Sequence, residues 1–235
     1  MLPCLREVAI MGSETIMVSY AFMKVLESSP QRYDTGINLL SLGHSNRVQR
    51  DIVESYITAG DEVLEIGCGT GTMAILCAEK GASVVGFDTS YRMLAIAIRK
   101  AGERNLTDKI QFREMAATEM DNNFSDGTFD KIVSTLVFSE FYPDEQKYVL
   151  REANRILRPG GLLIIADEVR SNSPWKRILH LLVRVPLVVI TYILIQASTK
   201  ALKGIEDALT DSGFEIIYQK RSFLDSFGLY VARKS

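Results

Sequence analysis

One segment constrains this chain more than any other: the glycine loop, defined here as residues 65–71, which reads Glu-Ile-Gly-Cys-Gly-Thr-Gly. A short strand pattern, residues 61–66, runs into it, and a helix is predicted over residues 72–80 directly after it. Glycine permits a tight turn and the approach of a ligand without interference from a Cβ atom. The free N–H groups of the following helix give that space a partial positive charge. The loop therefore predicts a nucleotide-like ligand, although the same spacing also occurs in tight turns that bind nothing.

Strand and helix patterns alternate around this loop with short connections. Such alternation is typical of βαβ units in a mostly parallel, doubly wound sheet. Further strands are predicted at residues 83–87, 110–112, 131–134 and 162–166, and further helices at 47–56, 92–105 and 145–157. Two C-terminal strands, residues 214–221 and 227–233, are joined by a short turn and are expected to pair antiparallel.

An acidic residue, Asp88, ends the second predicted strand. In a doubly wound sheet this position lies beside the glycine loop, within reach of a ribose. A carboxylate there accepts hydrogen bonds from two ribose hydroxyls. A solvated aspartate at a strand end is the alternative for any single acid of this kind.

Composition narrows the classes of partner and compartment. The formal net charge of −2 gives no reason to expect nucleic acid as a partner. The three cysteines match no zinc or disulfide framework, so a cytoplasmic setting without a metal is expected. The N-terminus lacks the pattern of a secretory signal. The longest apolar run, residues 185–195, is too short to span a bilayer.

Four stretches in order carry a family resemblance: VLEIGCGTGTMAI, VVGFDTSYRML, DGTFDKIVSTLVFSE and RILRPGGLLIIAD. Together they resemble the motifs of class I methyltransferases that depend on S-adenosylmethionine (SAM). The resemblance covers roughly residues 60–168. It implies a Rossmann-like, seven-stranded sheet with an antiparallel last strand, which agrees with the pattern of the two C-terminal strands.

The resemblance also implies roles for individual residues in binding SAM. Those facing its amino acid part are Glu65, Gly67, Cys68, Gly69 and Gly71, with Cys68 as packing and not as a nucleophile. Those near the ribose and adenine are Asp88, Thr89, Met93, Ala116 and Ala117. Thr135 and Leu136 are expected to line the floor near the methyl group, and Tyr33 to close over the cofactor. Many relatives have an aspartate where this chain has Ala116, so the adenine amine needs another acceptor.

Two alternatives remain open at this level. A nicotinamide dehydrogenase also uses a glycine loop and a strand-end acid, but its G-x-G-x-x-G fingerprint is broken by Thr72. Within the methyltransferases, the stretches RYDTGINLLSLG, ADEVR and RVPLVVITYILIQAST resemble the corrinoid protein-associated subgroup. The other subgroup considered comprises methyltransferases of quinones or other small molecules.

Methyl transfer from a sulfonium is a direct displacement, so alignment and exclusion of water are the main requirements. A general base is needed only if the nucleophile must lose a proton. The candidates for such a role are Tyr33, His44, Glu140, Asp167 and Glu168. An ordinary loop charge is the alternative for each carboxylate, and His180 is expected to be structural.

The segment from residue 169 to 205 contains no acid but six basic residues, around the apolar run. An apolar helix must be covered by other groups. A lid packed on the N-terminal helices, an anionic membrane surface, a substrate pocket and a homodimer contact are the possibilities considered.

These observations predict a single α/β domain in four parts. A helical cap covers residues 1–45, the SAM-binding core 60–168, an inserted helical lid 169–200, and a last helix with the hairpin 201–235. The predicted function is methyl transfer from SAM to a small-molecule acceptor under the lid. The alternative is a non-catalytic protein that binds a corrinoid protein or a membrane surface.

Overall fold

The computed structural model of the chain describes residues 44–169, 202, 204–222 and 227–235. Its helices are α1 (His44–Tyr56), α2 (Thr72–Glu79), α3 (Tyr91–Glu103), α4 (Met120–Asn123), α5 (Pro143–Ile156) and α6 (Ile205–Asp211). Its strands are β1 (Glu62–Ile66), β2 (Ser83–Asp88), β3 (Ile110–Glu114), β4 (Phe129–Thr135), β5 (Leu157–Glu168), β6 (Phe214–Ser222) and β7 (Phe227–Lys234). Nearly all of the predicted cap and lid lie outside the described residues, as do Tyr33 and His180.

The seven strands form one sheet in the order β3-β2-β1-β4-β5-β7-β6. The first five strands are parallel, whereas β7 pairs antiparallel with both β5 and β6. The predicted doubly wound sheet with an antiparallel C-terminal hairpin is therefore confirmed. In this order β1 and β4 are neighbours, so the chain reverses direction across the sheet between them. The crevice at such a reversal is where open α/β sheets bind ligands.

The core lies on both faces of the sheet. Side chains alternate along each strand, so Leu64 and Ile132 pack on one face while Val63 and Val133 pack on the other. All four are fully buried. Two-sided burial explains why the central strands read as continuous apolar runs, and it makes them a rigid support for the loops at their carboxyl ends.

Several elements differ from the sequence prediction. β5 begins at Leu157, five residues earlier than expected, because the segment containing Pro159 continues as extended backbone after α5 ends. Leu157 pairs with Phe129 before the register shifts. A 3-10 helix, Ala117–Glu119, and the short α4 were not predicted, since segments this short leave no clear periodicity.

Candidate cofactor site at the carboxyl ends of the strands

The three glycines of the loop differ in what their missing side chains allow. All have positive φ, 67° at Gly67, 50° at Gly69 and 73° at Gly71. A Cβ atom on Gly67 would lie 2.5 Å from the Val137 side chain, and one on Gly71 would lie 2.8 Å from Ala97 Cβ. No described atom lies within 4 Å of a Cβ built on Gly69. Gly67 and Gly71 are thus packed closely against neighbouring side chains, whereas Gly69 faces open space.

Asp88 ties the end of β2 to this loop. Its Oδ2 accepts the backbone N–H of Gly69 at 2.8 Å, and its Oδ1 accepts that of Ser90 at 2.9 Å. The carboxylate thus lies beside the loop, where the strand-end position predicted it.

Glu65, the last acidic residue of β1, is buried at the base of the loop and only 2% exposed. Burial raises the pKa of its carboxyl to about 8, and the nearby Asp88 adds to this. The backbone N–H of Ala74 and the ammonium of Lys100 act in the opposite direction. Glu65 Oε2 has no hydrogen-bond partner among the described residues. A buried carboxyl in this condition is a strong acceptor for a cationic donor.

Lys100 on α3 fastens the far side of the loop. Its Nζ donates to Thr72 Oγ1 at 2.9 Å and to Thr70 Oγ1 at 3.3 Å. These threonines flank Gly71, so the contact fixes the start of α2 against α3. The sequence places Lys100 on the same helical face as Met93 but does not show that it reaches the loop.

A cleft with about 490 Å³ of empty space, including its mouth, opens beside the loop. Six predicted residues line it: Glu65, Gly67, Cys68, Gly69, Thr135 and Leu136. Thr70, within the predicted loop, also lines it, and five lining residues were not predicted: Ser45, Asn46, Gln49, Thr72 and Met73.

The most informative of the unpredicted lining residues lie on α1. Ser45, Asn46 and Gln49 lie within one helical turn, and the Gln49 Nε2 donates to Thr135 Oγ1 at 3.2 Å. Polar residues adjoining the buried Val48 and Ile52 are a signal that sequence reasoning could have used, because the core-facing side of a helix is normally apolar. Their presence there indicates a polar cavity beneath α1.

The chain after β4 forms the opposite wall of the cleft. Leu136 has φ of 61°, which is rare for a residue with a side chain. Its N–H donates to Ala166 O on β5 at 2.9 Å, and the next residue, Val137, packs over Gly67. Strained backbone of this kind clusters at functional sites and persists only where surrounding contacts hold it.

The residues predicted for the adenine end lie outside the lining of the cleft. Met93 is buried in the first turn of α3, and Thr89 is exposed just before that helix. Met115 N donates to Asp88 O at 3.2 Å, which brings the chain after β3 to the end of β2. Ala116 is half-buried there and Ala117 is buried.

His44 is held by the C-terminal hairpin. Its Nε2 lies 2.7 Å from Ser222 Oγ, and its ring packs edge-on against Phe227 with centroids 5.2 Å apart. Burial lowers its pKa, and the charges of Arg47 and Lys220 lower it further. His44 is not among the residues that line the cleft, and these contacts favour a structural role.

The carboxylates in the turn after β4 and at the end of β5 are of different kinds; Asp167 and Glu168 were expected to follow β5 but are its last two residues. Asp167 is fully buried; its Oδ2 accepts the Ser139 N–H at 3.0 Å and its Oδ1 accepts the Glu168 N–H at 2.7 Å. Burial raises the pKa of Asp167 to about 6. Glu140 and Glu168 are half-buried near the same loop. Asp167 therefore positions the turn that follows β4.

The remaining chemistry of the described residues is limited. Cys68 and Cys77 are buried, and burial raises the pKa of each thiol well above its usual value, so both remain thiols. Within the described ranges there is no group of three or more residues suited to hold a metal ion. The same ranges contain no helix long and apolar enough to cross a membrane.

Comparison with known proteins agrees with this geometry. Residues 63–161 match the family model described as a methyltransferase domain. The chain is 37% identical over 139 residues to a demethylmenaquinone methyltransferase of Thermus thermophilus, covering 58% of this chain and 60% of that protein. It is 32% identical over 161 residues to the protein of that name in Tropheryma whipplei, covering 68% and 63%. The chain thus spans less than two thirds of the length of either relative.

Among solved structures, a SAM-dependent methyltransferase from Methanosarcina mazei superposes with a TM-score of 0.60. It is 25% identical, and the match covers 78% of this chain and 96% of that one. Residues 63–161, which match the family model, contain the glycine loop, Asp88 and the turn after β4. Residues 63–161 thus resemble a methyltransferase domain, and the fold resembles that of a SAM-dependent methyltransferase of known structure.

Proposed function

We propose that this protein transfers a methyl group from SAM to a small-molecule acceptor. The observation that carries the proposal is the buried Glu65 Oε2, which lacks a partner among the described residues and lies in the lining of the cleft beside Gly69. SAM has a cationic amino group at one end, which matches an acceptor of this kind. The matching relatives named as methyltransferases support the same conclusion.

The described residues fit the remaining parts of SAM. Gly69 leaves room for close approach to the backbone, and the Asp88 carboxylate lies beside the loop at the place where a ribose would bind. Gly67, Cys68 and Gly71 complete the loop around the amino acid part. Further along, Thr89, Met93 and Ala117 would surround the adenine.

Glu119 is a candidate for the acceptor that the alanine at position 116 cannot supply. Its Oε2 accepts the Ala116 N–H at 2.7 Å, so the side chain folds back to the position where many relatives have an aspartate. We infer that this carboxylate accepts the adenine amine. The 3-10 helix that starts at Ala117 brings Glu119 there, which a comparison of single positions does not detect.

When bound, SAM supplies a methyl group on a positively charged sulfur. This chain aligns the acceptor with it and excludes water. Thr135 and Leu136 would form the floor beside the methyl group, with Tyr33 and the 169–200 segment above. Glu140 and Glu168 are the candidates for removing a proton if the acceptor carries one.

Small-molecule acceptors are favoured because named relatives include demethylmenaquinone and erythromycin methyltransferases. A link to corrinoid proteins rests on three sequence stretches, most of which lie outside the described residues. The non-catalytic alternative, cytoplasmic location, membrane contact and homodimer formation likewise remain predictions. Incubation with SAM and either quinone acceptors or corrinoid proteins, followed by mass spectrometry, tests the acceptor class. Any SAM-dependent methylated product excludes a purely non-catalytic role.

Titration calorimetry with S-adenosylhomocysteine (SAH) tests the cofactor assignment. Asp88→Ala removes two charge-assisted bonds to the ribose and is expected to weaken binding about a hundredfold. Asp108→Ala, which removes an exposed carboxylate, is the matched control and is expected to bind normally. No binding by the native protein, or equal binding by the Asp88 variant, contradicts the proposal.

A further inference from the structure

We propose that Gln49 is a second acceptor for the amino group of the cofactor, acting together with Glu65. The proposal rests on the function proposed above and adds a residue that determines specificity. Gln49 lies on α1, outside the matched segment 63–161. Its role therefore cannot be taken from the methyltransferase motifs.

The Gln49 amide is fixed at one end and unsatisfied at the other. Nε2 donates to Thr135 Oγ1 at 3.2 Å, which ties α1 to the end of β4 across the cleft. Oε1 is buried and has no hydrogen-bond partner in the described part of the chain. Buried amide oxygens normally have a donor, so an orphaned one at a cleft indicates that a ligand supplies it.

Glu65 Oε2 is in the same condition, and both side chains line the same cleft. Of the three buried side-chain atoms without a partner in the described residues, these two belong to the site; the third, Tyr148 Oη, belongs to α5. Two unsatisfied acceptors in one cleft require a ligand with at least two donors. A carboxylate beside a neutral amide favours a cation over a neutral group.

A primary ammonium meets these requirements. It carries three N–H donors and a positive charge, so it can bond Glu65 and Gln49 at once and retain one donor. No lysine or arginine is among the described residues that line the cleft, so the protein itself does not supply such a group there. The amino group of the methionine part of SAM is the ligand ammonium expected at this end of the cleft.

In this arrangement α1 contributes a side chain to cofactor binding. Since Thr135 lies at the end of β4, the Gln49 amide connects the helix before the domain motifs to the predicted floor of the methyl site. Loss of Gln49 should therefore affect ligands that carry the amino group and leave ligands without it unchanged. A merely structural role would weaken both kinds of ligand equally.

The test measures affinities of the full chain by calorimetry for three probes. These are SAH, its analogue without the amino group and its analogue without the carboxylate. Gln49→Leu is expected to weaken SAH and the decarboxylated analogue about tenfold each, the effect of one hydrogen bond to a charged group. The deaminated analogue should bind the variant and the native protein equally. Gln111→Leu, on the exposed side of β3, is the matched control.

Each outcome decides a different point. Absence of SAH binding by the native protein overturns the proposed function itself. Native binding with an unchanged Gln49→Leu variant overturns the role of Gln49 and leaves the function intact. A loss that persists with the deaminated analogue but vanishes with the decarboxylated one shows that the amide faces the carboxylate, and this also overturns the proposal. If Gln49→Leu does not fold, Gln49→Glu replaces it and should bind the decarboxylated analogue at least as tightly as the native protein does.

Discussion

The two walls of the cleft are constructed differently. The glycine loop is shaped by consecutive residues of one motif, and its buried acid, Glu65, has an oxygen without a partner in the described structure. The turn after β4 is shaped from a distance, because Leu136 and Ser139 are bonded to Ala166 and to the side chain of Asp167. In that wall the buried acid is fully engaged. The buried acid of the turn after β4 is therefore bonded within the protein, whereas the buried acid of the glycine loop has an oxygen available to a ligand.

Glu65 and Asp167 make this contrast quantitative. Both carboxyls are buried, but the pKa of Glu65 is raised to about 8 and that of Asp167 only to about 6. Two backbone N–H groups stabilise the Asp167 carboxylate and partly offset the effect of burial. Similar burial thus gives one acid that is largely protonated at neutral pH and one that is largely ionised.

The largest predicted effect is the pH dependence that Glu65 imposes on stability. The pKa of Glu65 is about 8 in the folded protein and about 4.5 in the unfolded chain. Between these two pH values the carboxyl is therefore protonated in the folded protein but ionised in the unfolded chain. The free energy of unfolding therefore falls as pH rises from 4.5 to 8, by at most about 1.4 kcal/mol per pH unit. Glu65→Gln removes this term, so its stability relative to the native protein should increase across the window. Urea denaturation at pH 5, 6.5 and 8 measures the difference.

The same group predicts that SAH binding releases a proton, because an ammonium ligand favours the carboxylate. Calorimetry near pH 7 in two buffers of different ionisation enthalpy measures this release, and affinity should rise between pH 6 and 8. A difference in unfolding free energy that is flat with pH, together with no proton release, would show that Glu65 is ionised before the ligand binds.

A smaller predicted effect is the difference in destabilisation between alanine substitutions at Gly71 and at Gly69. Gly71→Ala introduces a Cβ 2.8 Å from Ala97 at a left-handed φ, so strain and overpacking together should destabilise the fold by roughly 3 kcal/mol. Gly69→Ala meets no described atom within 4 Å and should cost only about 1–2 kcal/mol of backbone strain, while it obstructs the ligand. Thermal and urea unfolding, with SAH titration of each variant, give both quantities. Equal destabilisation would contradict the division of roles.

The smallest stability effect concerns Asp167. Asp167→Ala leaves the buried Ser139 N–H without its acceptor and should cost about 1–3 kcal/mol. Because it disturbs the wall on the acceptor side, methyl-transfer turnover should fall while SAH affinity stays near the native value. Asp108→Ala serves as the exposed control. A loss of SAH affinity as large as the loss of turnover would show that the two walls are not independent.

Much of the fold could be predicted because its determinants are local or periodic. Alternating strand and helix patterns predicted the sheet, and the family resemblance implied six residues of the cleft lining. The start of β5 and the 3-10 helix at Ala117 could not be predicted in this way. Pro159 lies in the first part of β5, and the Glu119 side chain bonds the backbone N–H before the 3-10 helix. Neither feature leaves a periodic signal in the sequence.

The sequence by itself determined the succession of strands and helices along the chain, the glycine loop and the resemblance to methyltransferases, since backbone conformation and side-chain periodicity are encoded by neighbouring residues. Tertiary structure alone decided which glycine of the loop has space for a side chain, because that depends on Val137, Ala97 and other atoms brought in from distant segments. It also decided that Gln49 reaches Thr135 and that Glu65 lacks a partner within the described chain while Asp167 has two. Burial and hydrogen bonding between distant segments arise only when the chain is folded.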